Sequence, residues 1–183
     1  MKLQPPPPPL FTAEDIAGRV TAIGQQIAST YAGEELVIVG LLKNSLVFMA
    51  DLMRAIPMPF RSYTLRVVHV SETRGGPTAV QVLYGSAVPV EGHHVLIVDD
   101  VVDTGVTLTY VRDHLAARGP KSLRIAVLVD RTAPRKTQLI PEWSAFRIET
   151  DDDARFLVGY GLDQSDYYRG LPYVGVLPPG GGA

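Results

Sequence analysis

The first apolar pattern in the chain has the spacing of a helix. Four aliphatic residues follow one another at steps of four, three and four positions, which places them on one helical face. They are Ile16, Val20, Ile23 and Ile27. Thr12 and Asp15 precede this stripe in the arrangement of a capping box, and Gly33 follows it. The pattern predicts one amphipathic helix between Thr12 and Gly33.

Continuous apolar runs further along predict strands that are covered on both faces. The three clearest runs are Leu36–Leu42, Val95–Val98 and Ser122–Val129. Two more strand candidates, Leu65–Val70 and Ala79–Tyr84, flank the segment SETRGGPT. Because two glycines and a proline stand together in that segment, we predict a mobile loop over residues 71–78.

Helical patterns separate the predicted strands. One helix is expected from Ser45 to Ala55, and another from Val106 to Arg118 with a glycine and a proline directly after it. A strand, a helix and a strand in succession require a parallel strand pair with a right-handed crossover. The fold class is therefore α/β, with an open, mostly parallel twisted sheet flanked by helices. Ligands of such sheets bind beyond the carboxyl ends of the strands.

The composition fits one globular domain and excludes several classes of protein. The chain has 183 residues, a net charge of −2 and no cysteine. Without cysteine it has no disulfide, no thiol nucleophile and no cysteine-ligated zinc. No apolar run reaches the roughly 18–20 residues that cross a bilayer, and the slight acidic excess disfavours binding to nucleic acid. We therefore expect a cytoplasmic protein without a membrane or nucleic-acid partner.

The segment from Asp99 to Thr107 carries more chemistry than a strand–helix turn requires. Its second half combines free backbone N–H groups at a helix start, a glycine and two threonine hydroxyls, which together suit a phosphate. Its first half contains Asp99 and Asp100, and carboxylates suit sugar hydroxyls or Mg²⁺. A ligand that matches both halves carries a ribose and a 5′-phosphate.

At this point the sequence resembles a known family. VLIVDDVVDTG at 95–105 resembles the phosphoribosyl-pyrophosphate signature of type I phosphoribosyltransferases. FLVGYGLD at 156–163 and YRGLPY at 168–173 resemble the purine pocket of the hypoxanthine-guanine members of that family. GLLKNS at 40–45 is similar to the family's pyrophosphate loop, in which the peptide bond before the lysine is often cis.

The resemblance implies a reaction and a set of residues for it. A 6-oxopurine and phosphoribosyl pyrophosphate would give a purine nucleotide and pyrophosphate, with Mg²⁺ as the cofactor. Asp103 would be the catalytic residue and would face the purine N7 as proton acceptor or donor. Asp99 and Asp100 would hold the ribose hydroxyls and Mg²⁺. The other residues expected to bind phosphoribosyl pyrophosphate are Lys43, Asn44, Thr104, Gly105, Val106, Thr107 and Arg169.

Four residues are expected on the purine side of the site. By the same resemblance, Phe156 would stack on the base and the backbone of Leu157 would pair with its edge. Asp163 would lie near the base and near a second Mg²⁺. Arg131 stands where the family usually has a lysine that binds the 6-oxo group, and arginine donates from a planar fork instead. SETRGG lacks the serine–tyrosine pair that is usual in the family's mobile loop.

The expected organisation is a single phosphoribosyltransferase domain over residues 10–177. The family fold implies a small hood, contributed by about residues 10–15 and 145–177. Because five consecutive prolines end at Pro9, residues 1–9 are predicted to be a disordered tail, and residues 178–183 a flexible one. The resemblance also implies a homodimer or homotetramer.

A second function remains as an alternative. A pyrimidine-responsive RNA-binding regulator with uracil phosphoribosyltransferase activity would share the fold, and the segment LVDR at 128–131 has some similarity to such proteins. A regulator of that kind needs a basic face for RNA, and the net charge of −2 argues against one.

Overall fold

The computed structural model describes residues 5–71, 78–84, 87–150 and 156–177, which form three helices and nine strands. Six strands form a central sheet and three form a second, smaller sheet. In chain order the elements are β1 Pro9–Phe11, α1 Ala13–Thr30, β2 Leu36–Leu42, α2 Leu46–Ala55, β3 Phe60–Ser71, β4 Thr78–Tyr84, β5 His94–Val102, α3 Val106–Ala116, β6 Ser122–Arg131, β7 Trp143–Ile148, β8 Phe156–Val158 and β9 Val174–Leu177.

The central sheet confirms the predicted fold class. Its strand order is β4-β3-β2-β5-β6-β7. Neighbouring strands are parallel from β3 to β7, whereas β4 runs antiparallel to β3. The predicted strand–helix–strand unit is present, because α3 connects the adjacent parallel strands β5 and β6. The chain builds the sheet outward in opposite directions from β2 and β5, which makes that pair the topological switch point.

Two helical layers explain why the central strands are continuously apolar. Leu36 and Ile38 pack in the core under α1 and α2, while Val37 and Val39 pack in the core on the side of α3. Alternate residues of β2 thus point to opposite faces of the sheet. Because both faces are covered by apolar cores, neither favours a polar residue. α2 also lies very close to β2 at Gly40, where a Cβ would stand 2.1 Å from the Met49 sulfur. Among the described residues, no helix has the length and apolar character needed to span a membrane.

The small sheet forms a hood from both ends of the described chain, in the order β1-β9-β8. Pro7 is buried, its carbonyl accepts a hydrogen bond from the Tyr173 hydroxyl at 2.8 Å, and Pro9 pairs with Gly175. The predicted disordered tail over residues 1–9 is therefore wrong for Pro7 to Pro9, which are held against the hood. A short edge strand tolerates proline because the missing N–H would face away from the ladder. Residues 1–4 and 178–183 lie outside the described residues.

Further boundaries differ from the sequence predictions. β5 continues four residues past Val98, because its backbone keeps pairing with β6 as far as Val102. β7 was not predicted, and its membership of the central sheet means that the second hood segment begins after Ile148 and not at residue 145. Residues 72–77 of the loop predicted over residues 71–78 lie outside the described residues.

Candidate active site

The predicted site residues gather at the carboxyl ends of β2, β5 and β6. Lys43 follows β2 directly, Asp103 follows β5, and Arg131 ends β6. Since β2 and β5 are the neighbours at which the strand order reverses, their carboxyl ends border the crevice where open α/β sheets bind ligands. The peptide bond between Leu42 and Lys43 is cis, as the resemblance implied.

The loop before α3 lines a cavity of about 300 Å³. Its lining includes Asp99, Asp103, Thr104, Gly105 and Thr107. Gly105 has a φ of 79°, a left-handed conformation that side chains rarely adopt, and it directly precedes the first residue of α3. The unpaired N–H groups of a helix start and its positive dipole end favour an anion at this place.

Two adjacent carboxylates lie near the end of β5, and the first of them, Asp99, lines this cavity. The backbone N–H of Asp100 donates to the carboxylate of Asp99 at 3.0 Å, and Asp100 is only 8% exposed. Burial, followed by the neighbouring Asp100 carboxylate, raises the pKa of Asp99 well above its usual range. Burial also raises the pKa of Asp100. A cation or a pair of hydroxyl donors placed here would relieve that repulsion.

An ionic cluster joins the loop after β2 to the hood. The Lys43 ammonium lies 2.5 Å from a carboxylate oxygen of Asp166. Arg169 contacts the carboxylates of Asp163 at 2.7 Å and Asp166 at 2.8 Å, and it donates to the Asn44 side-chain oxygen at 2.6 Å. Hydrogen bonds from Lys43 and then Arg169 lower the pKa of Asp166. The structure thus brings the predicted residues Lys43, Asn44, Asp163 and Arg169 together.

A second cavity of about 300 Å³ lies under the hood. Its lining includes Leu10, Phe11, Arg131, Leu157 and Val176. The Arg131 guanidinium is 3.0 Å from the carboxylate of Asp103, and its side chain is 15% exposed. Because Asp103 lines the first cavity and Arg131 the second, this ion pair connects the linings of the two cavities.

The predicted purine residues do not all face this second cavity. Leu157 lines it, whereas the Phe156 side chain is 58% exposed and Asp163 belongs to the ionic cluster. β8 alternates sides along its three residues, so Phe156 and Leu157 point to opposite faces of the hood sheet. Phe11 stacks on Phe146 with ring centroids 3.9 Å apart, which closes one wall of the region under the hood.

Two residues with many contacts at the site were missed from the sequence. Asp166 binds both cationic side chains of the ionic cluster, and it has a φ of 68° that is uncommon for a residue other than glycine. Arg135 lies behind the loop that precedes α3, with its side chain 13% exposed, and donates to the backbone carbonyls of Val102 and Asp103. Asp166 lies between the motifs at 156–163 and 168–173, which contain Asp163 and Arg169, and its nearness to them in the sequence was a usable signal. The segment around Arg135 carried none.

The carboxylates of Asp99 and Asp100 fit a hard cation, but by themselves they do not form a complete metal site. Within the described parts of the chain, no three metal-binding side chains converge on one point. Asp99 and Asp100 supply carboxylate oxygens, the ligand type that Mg²⁺ prefers, and Mg²⁺ usually adds water and substrate phosphates to one or two carboxylates. Burial raises the pKa of both carboxylates, and a positive charge beside them would favour their ionised forms.

Comparison with known proteins agrees with this geometry. Residues 10–165 match the family model described as "Phosphoribosyl transferase domain". A hypoxanthine-guanine phosphoribosyltransferase of Mycobacterium avium is 35% identical over 93% of this chain and 85% of its own length. A hypoxanthine phosphoribosyltransferase of Salmonella typhimurium is 37% identical over 88% of this chain and 89% of its own.

Solved structures give the same result at the level of the fold. The crystal structure of a hypoxanthine-guanine phosphoribosyltransferase from Bacillus anthracis superposes with a TM-score of 0.84 at 30% identity, covering 96% of this chain and 100% of that one. A hypoxanthine phosphoribosyltransferase from Staphylococcus aureus also gives a TM-score of 0.84, at 35% identity over 94% of this chain and 91% of that one. With the matched domain, the sheet order and the site at its switch point, the chain belongs to the phosphoribosyltransferase family.

Proposed function

We propose that this protein is a purine salvage enzyme that transfers the 5-phosphoribosyl group from phosphoribosyl pyrophosphate to hypoxanthine or guanine. The products are IMP or GMP and pyrophosphate. One observation carries the proposal: the 3.0 Å ion pair between Asp103 and Arg131 joins a cavity suited to a phosphate to a cavity under an apolar hood. A purine nucleotide needs that arrangement, with its 5′-phosphate on one side and its base on the other.

The charges around the site match those that develop during the transfer. When the bond between C1′ and the pyrophosphate oxygen breaks, the ribose gains positive character and pyrophosphate leaves with negative charge. Asp99 and Asp100 lie on the side assigned to the ribose, and Lys43 and Arg169 on the side assigned to pyrophosphate. Charges that are already in place before the reaction usually make the largest contribution to catalysis.

Asp103 is assigned the proton at N7 of the purine. N9 forms the bond to C1′ as the bond from C1′ to pyrophosphate breaks. The carboxylate of Asp103 takes the N7 proton, so that the purine base of the product nucleotide is neutral. Arg131 holds that carboxylate in place at 3.0 Å and donates to the 6-oxo group from its other nitrogens. A positioned general base contributes roughly 10²–10⁴-fold to such a rate.

Mg²⁺ is the proposed cofactor. Asp99 and Asp100 would hold one ion together with the substrate, and Asp163 would hold a second near pyrophosphate. The bound ions would supply positive charge to the leaving phosphates. The protein is further proposed to be cytoplasmic and to assemble as a homodimer or homotetramer.

A panel of bases tests the function. Hypoxanthine, guanine, xanthine, adenine and uracil are each mixed with phosphoribosyl pyrophosphate and Mg²⁺, and pyrophosphate release is measured. We expect turnover of hypoxanthine and guanine, and none of adenine or uracil. Turnover of uracil alone would overturn the proposal. It would favour the pyrimidine-responsive regulator, for which an RNA titration at several salt concentrations then checks phosphate contacts.

A further inference from the structure

Three consecutive carbonyls, that of the last residue of β5 and those of the next two residues in the loop before α3, accept hydrogen bonds from one short segment. Arg135 Nε donates to the Asp103 carbonyl at 2.9 Å, and Arg135 Nη2 donates to the Val102 carbonyl at 3.4 Å. The backbone N–H of Lys136 donates to the Thr104 carbonyl at 2.9 Å. The carbonyls of residues 102, 103 and 104 therefore all point toward the segment that follows β6.

Peptide geometry then fixes where the N–H groups of this loop point. In a trans peptide the N–H of one residue lies opposite the carbonyl of the residue before it. With their carbonyl partners turned toward Arg135 and Lys136, the N–H groups of Asp103, Thr104 and Gly105 are directed away from that segment. The cavity of about 300 Å³ is lined by the same three residues. Backbone N–H groups that converge on a concave surface are the usual means of binding phosphate.

Arg135 is itself held by a buried framework. Its side chain is 13% exposed, and it pairs with Asp130, whose side chain is 7% exposed. The guanidinium also donates to the carbonyl of Arg131 at 3.1 Å and to that of Leu139. It therefore connects the end of β6 to the loop after β5.

The contact between this segment and the loop is close enough to transmit a displacement. A Cβ on Gly105 would lie 2.3 Å from the Thr137 hydroxyl and 3.0 Å from the Arg135 side chain. The loop backbone thus rests directly on the segment, and a shift of Arg135 cannot be absorbed by empty space.

We propose that Arg135 is a positioning residue that aims the backbone N–H groups of residues 103–105 at the substrate's 5′-phosphate. The inference rests on the proposed function, in which that phosphate occupies the cavity. Arg135 does not touch the ligand. Through the Asp103 carbonyl it also sets the place of the Asp103 carboxylate.

The planar shape of arginine is essential to this role. A guanidinium reaches Asp130 and two loop carbonyls at once from a rigid fork, whereas a lysine ammonium presents a single point charge. Arg135→Lys keeps the charge beside Asp130 and is expected to fold. It loses the simultaneous contacts to Val102 and Asp103, which leaves the loop free to rotate its peptides.

The test measures what the 5′-phosphate contributes to binding. Calorimetry gives the Kd of IMP and of inosine for each variant. The Kd of inosine divided by the Kd of IMP measures what the 5′-phosphate contributes to binding. We expect Arg135→Lys to reduce that ratio roughly 10- to 100-fold, because misplacement of positioned groups by about 1 Å has effects of that size. The Kd of inosine should change little. If Arg135→Lys does not fold, the charge-neutral pair Asp130→Asn with Arg135→Gln replaces it, since neither residue then leaves a buried charge unpaired.

Arg124→Gln is the matched control. Arg124 belongs to the same strand as Asp130, and its guanidinium lies over the rings of Tyr31 and Trp143 at 5.5 and 5.7 Å, away from the loop. This variant should lower Tm but leave the ratio unchanged. An unchanged ratio in the Arg135 variants, or an equal fall in Arg124→Gln, would overturn the positioning role.

A wrong proposed function and a wrong role for Arg135 give different results in these measurements. Wild-type protein that binds IMP more tightly than inosine but consumes no base would overturn the function and leave the Arg135 measurement valid. Wild-type protein that does not distinguish IMP from inosine would overturn both.

Discussion

The two ends of the central sheet carry similar acidic residues in opposite electrostatic states. At the amino end, Glu34 contacts the Lys121 ammonium at 2.8 Å, and Glu35 contacts the Arg61 guanidinium at 2.6 Å. The hydrogen bond from Lys121 lowers the pKa of Glu34. At the carboxyl end, Asp99 and Asp100 stand against each other, and their pKa values are raised. The fold thus pairs Glu34 and Glu35 with cations at the amino end, and it leaves Asp99 and Asp100 buried beside each other at the carboxyl end.

The difference between paired and crowded carboxylates separates residues that maintain the fold from residues that bind a ligand. Paired surface charges add little to stability and ask for no further partner. Crowded carboxylates reduce the stability of the free protein and gain most when a cation or hydroxyl donors arrive. Acidic clusters of the second kind mark functional sites, because a structural role alone would have selected a paired arrangement.

Removal of Mg²⁺ should produce the largest difference between the two ends. EDTA is expected to abolish turnover, because the phosphates of the substrate and the carboxylates at the carboxyl end would then repel each other without a cation. Restored Mg²⁺ should restore the rate. The Tm of the free protein should hardly change, since the amino-end pairs need no metal. Full activity in EDTA would contradict the assignment of Asp99 and Asp100.

Loss of the catalytic carboxylate should produce the next largest effect. Asp103→Asn keeps the shape and removes the base, so kcat is expected to fall roughly 10²–10⁴-fold with little change in the affinity for phosphoribosyl pyrophosphate. Steady-state kinetics with saturating hypoxanthine measures both. Glu35→Gln removes a paired carboxylate from the amino end and should leave kcat as it is. An unchanged kcat in Asp103→Asn, with chemistry limiting turnover, would exclude Asp103 from the reaction.

The sequence was sufficient for the inner strands of the central sheet because those strands are built from local patterns, whereas the edge strand β7 was not predicted. The run Leu36–Leu42 is apolar since each of its faces is covered by helices, and its bounds were predicted correctly. β1 was missed because its residues have no strand periodicity, and only pairing with β9 makes them a strand. The extension of β5 through Asp99 and Asp100 was missed for the same reason, since polar residues at a strand end look like a loop.

The site residues also divide into those that local patterns predict and those that they do not. Lys43, Asp99, Asp100, Asp103 and Arg131 were placed correctly at the carboxyl edge, because strand order and short motifs determine that edge. Arg135 contacts Val102 and Asp103, and Asp166 contacts Lys43, across long stretches of the chain, and no local pattern predicts those contacts. Only the nearness of Asp166 to Asp163 and Arg169 in the sequence could have indicated it. The exposure of Phe156 likewise depends on how the hood sheet is oriented, which its own three-residue strand does not specify.

A third prediction compares two arginines that each pair with a carboxylate. Arg131→Ala should weaken the use of hypoxanthine and guanine, because the 6-oxo group loses its donor, whereas Arg131→Lys should largely preserve it. Adenine presents an amino group there, and two opposed donors should lower its kcat/KM by roughly 10²-fold or more relative to hypoxanthine. Arg61→Ala removes the matching pair at the amino end and should change no kinetic constant. Unchanged purine kinetics in Arg131→Ala would mean that another group binds the 6-oxo position.

The smallest expected effect concerns stability, and it has opposite signs at the two ends. The folded pKa of Asp99 is raised, so the folded state loses stability as pH rises from the unfolded value near 3.8 through that raised pKa. Asp99→Asn removes this loss, and its Tm should exceed that of the wild type by an amount that grows with pH. A gain of about 1 kcal/mol corresponds to roughly 2–4 °C in a domain of this size.

The folded pKa of Glu34 is lowered, so its contribution to stability is present above the unfolded value of 4.5 and is lost as pH falls through the folded pKa. Glu34→Gln should therefore lower Tm slightly at neutral pH and not at acidic pH. Thermal melts of both variants between pH 3 and pH 8 measure these differences, and two curves that shift in the same direction would show that the carboxyl-end acids are no more in conflict than the amino-end ones.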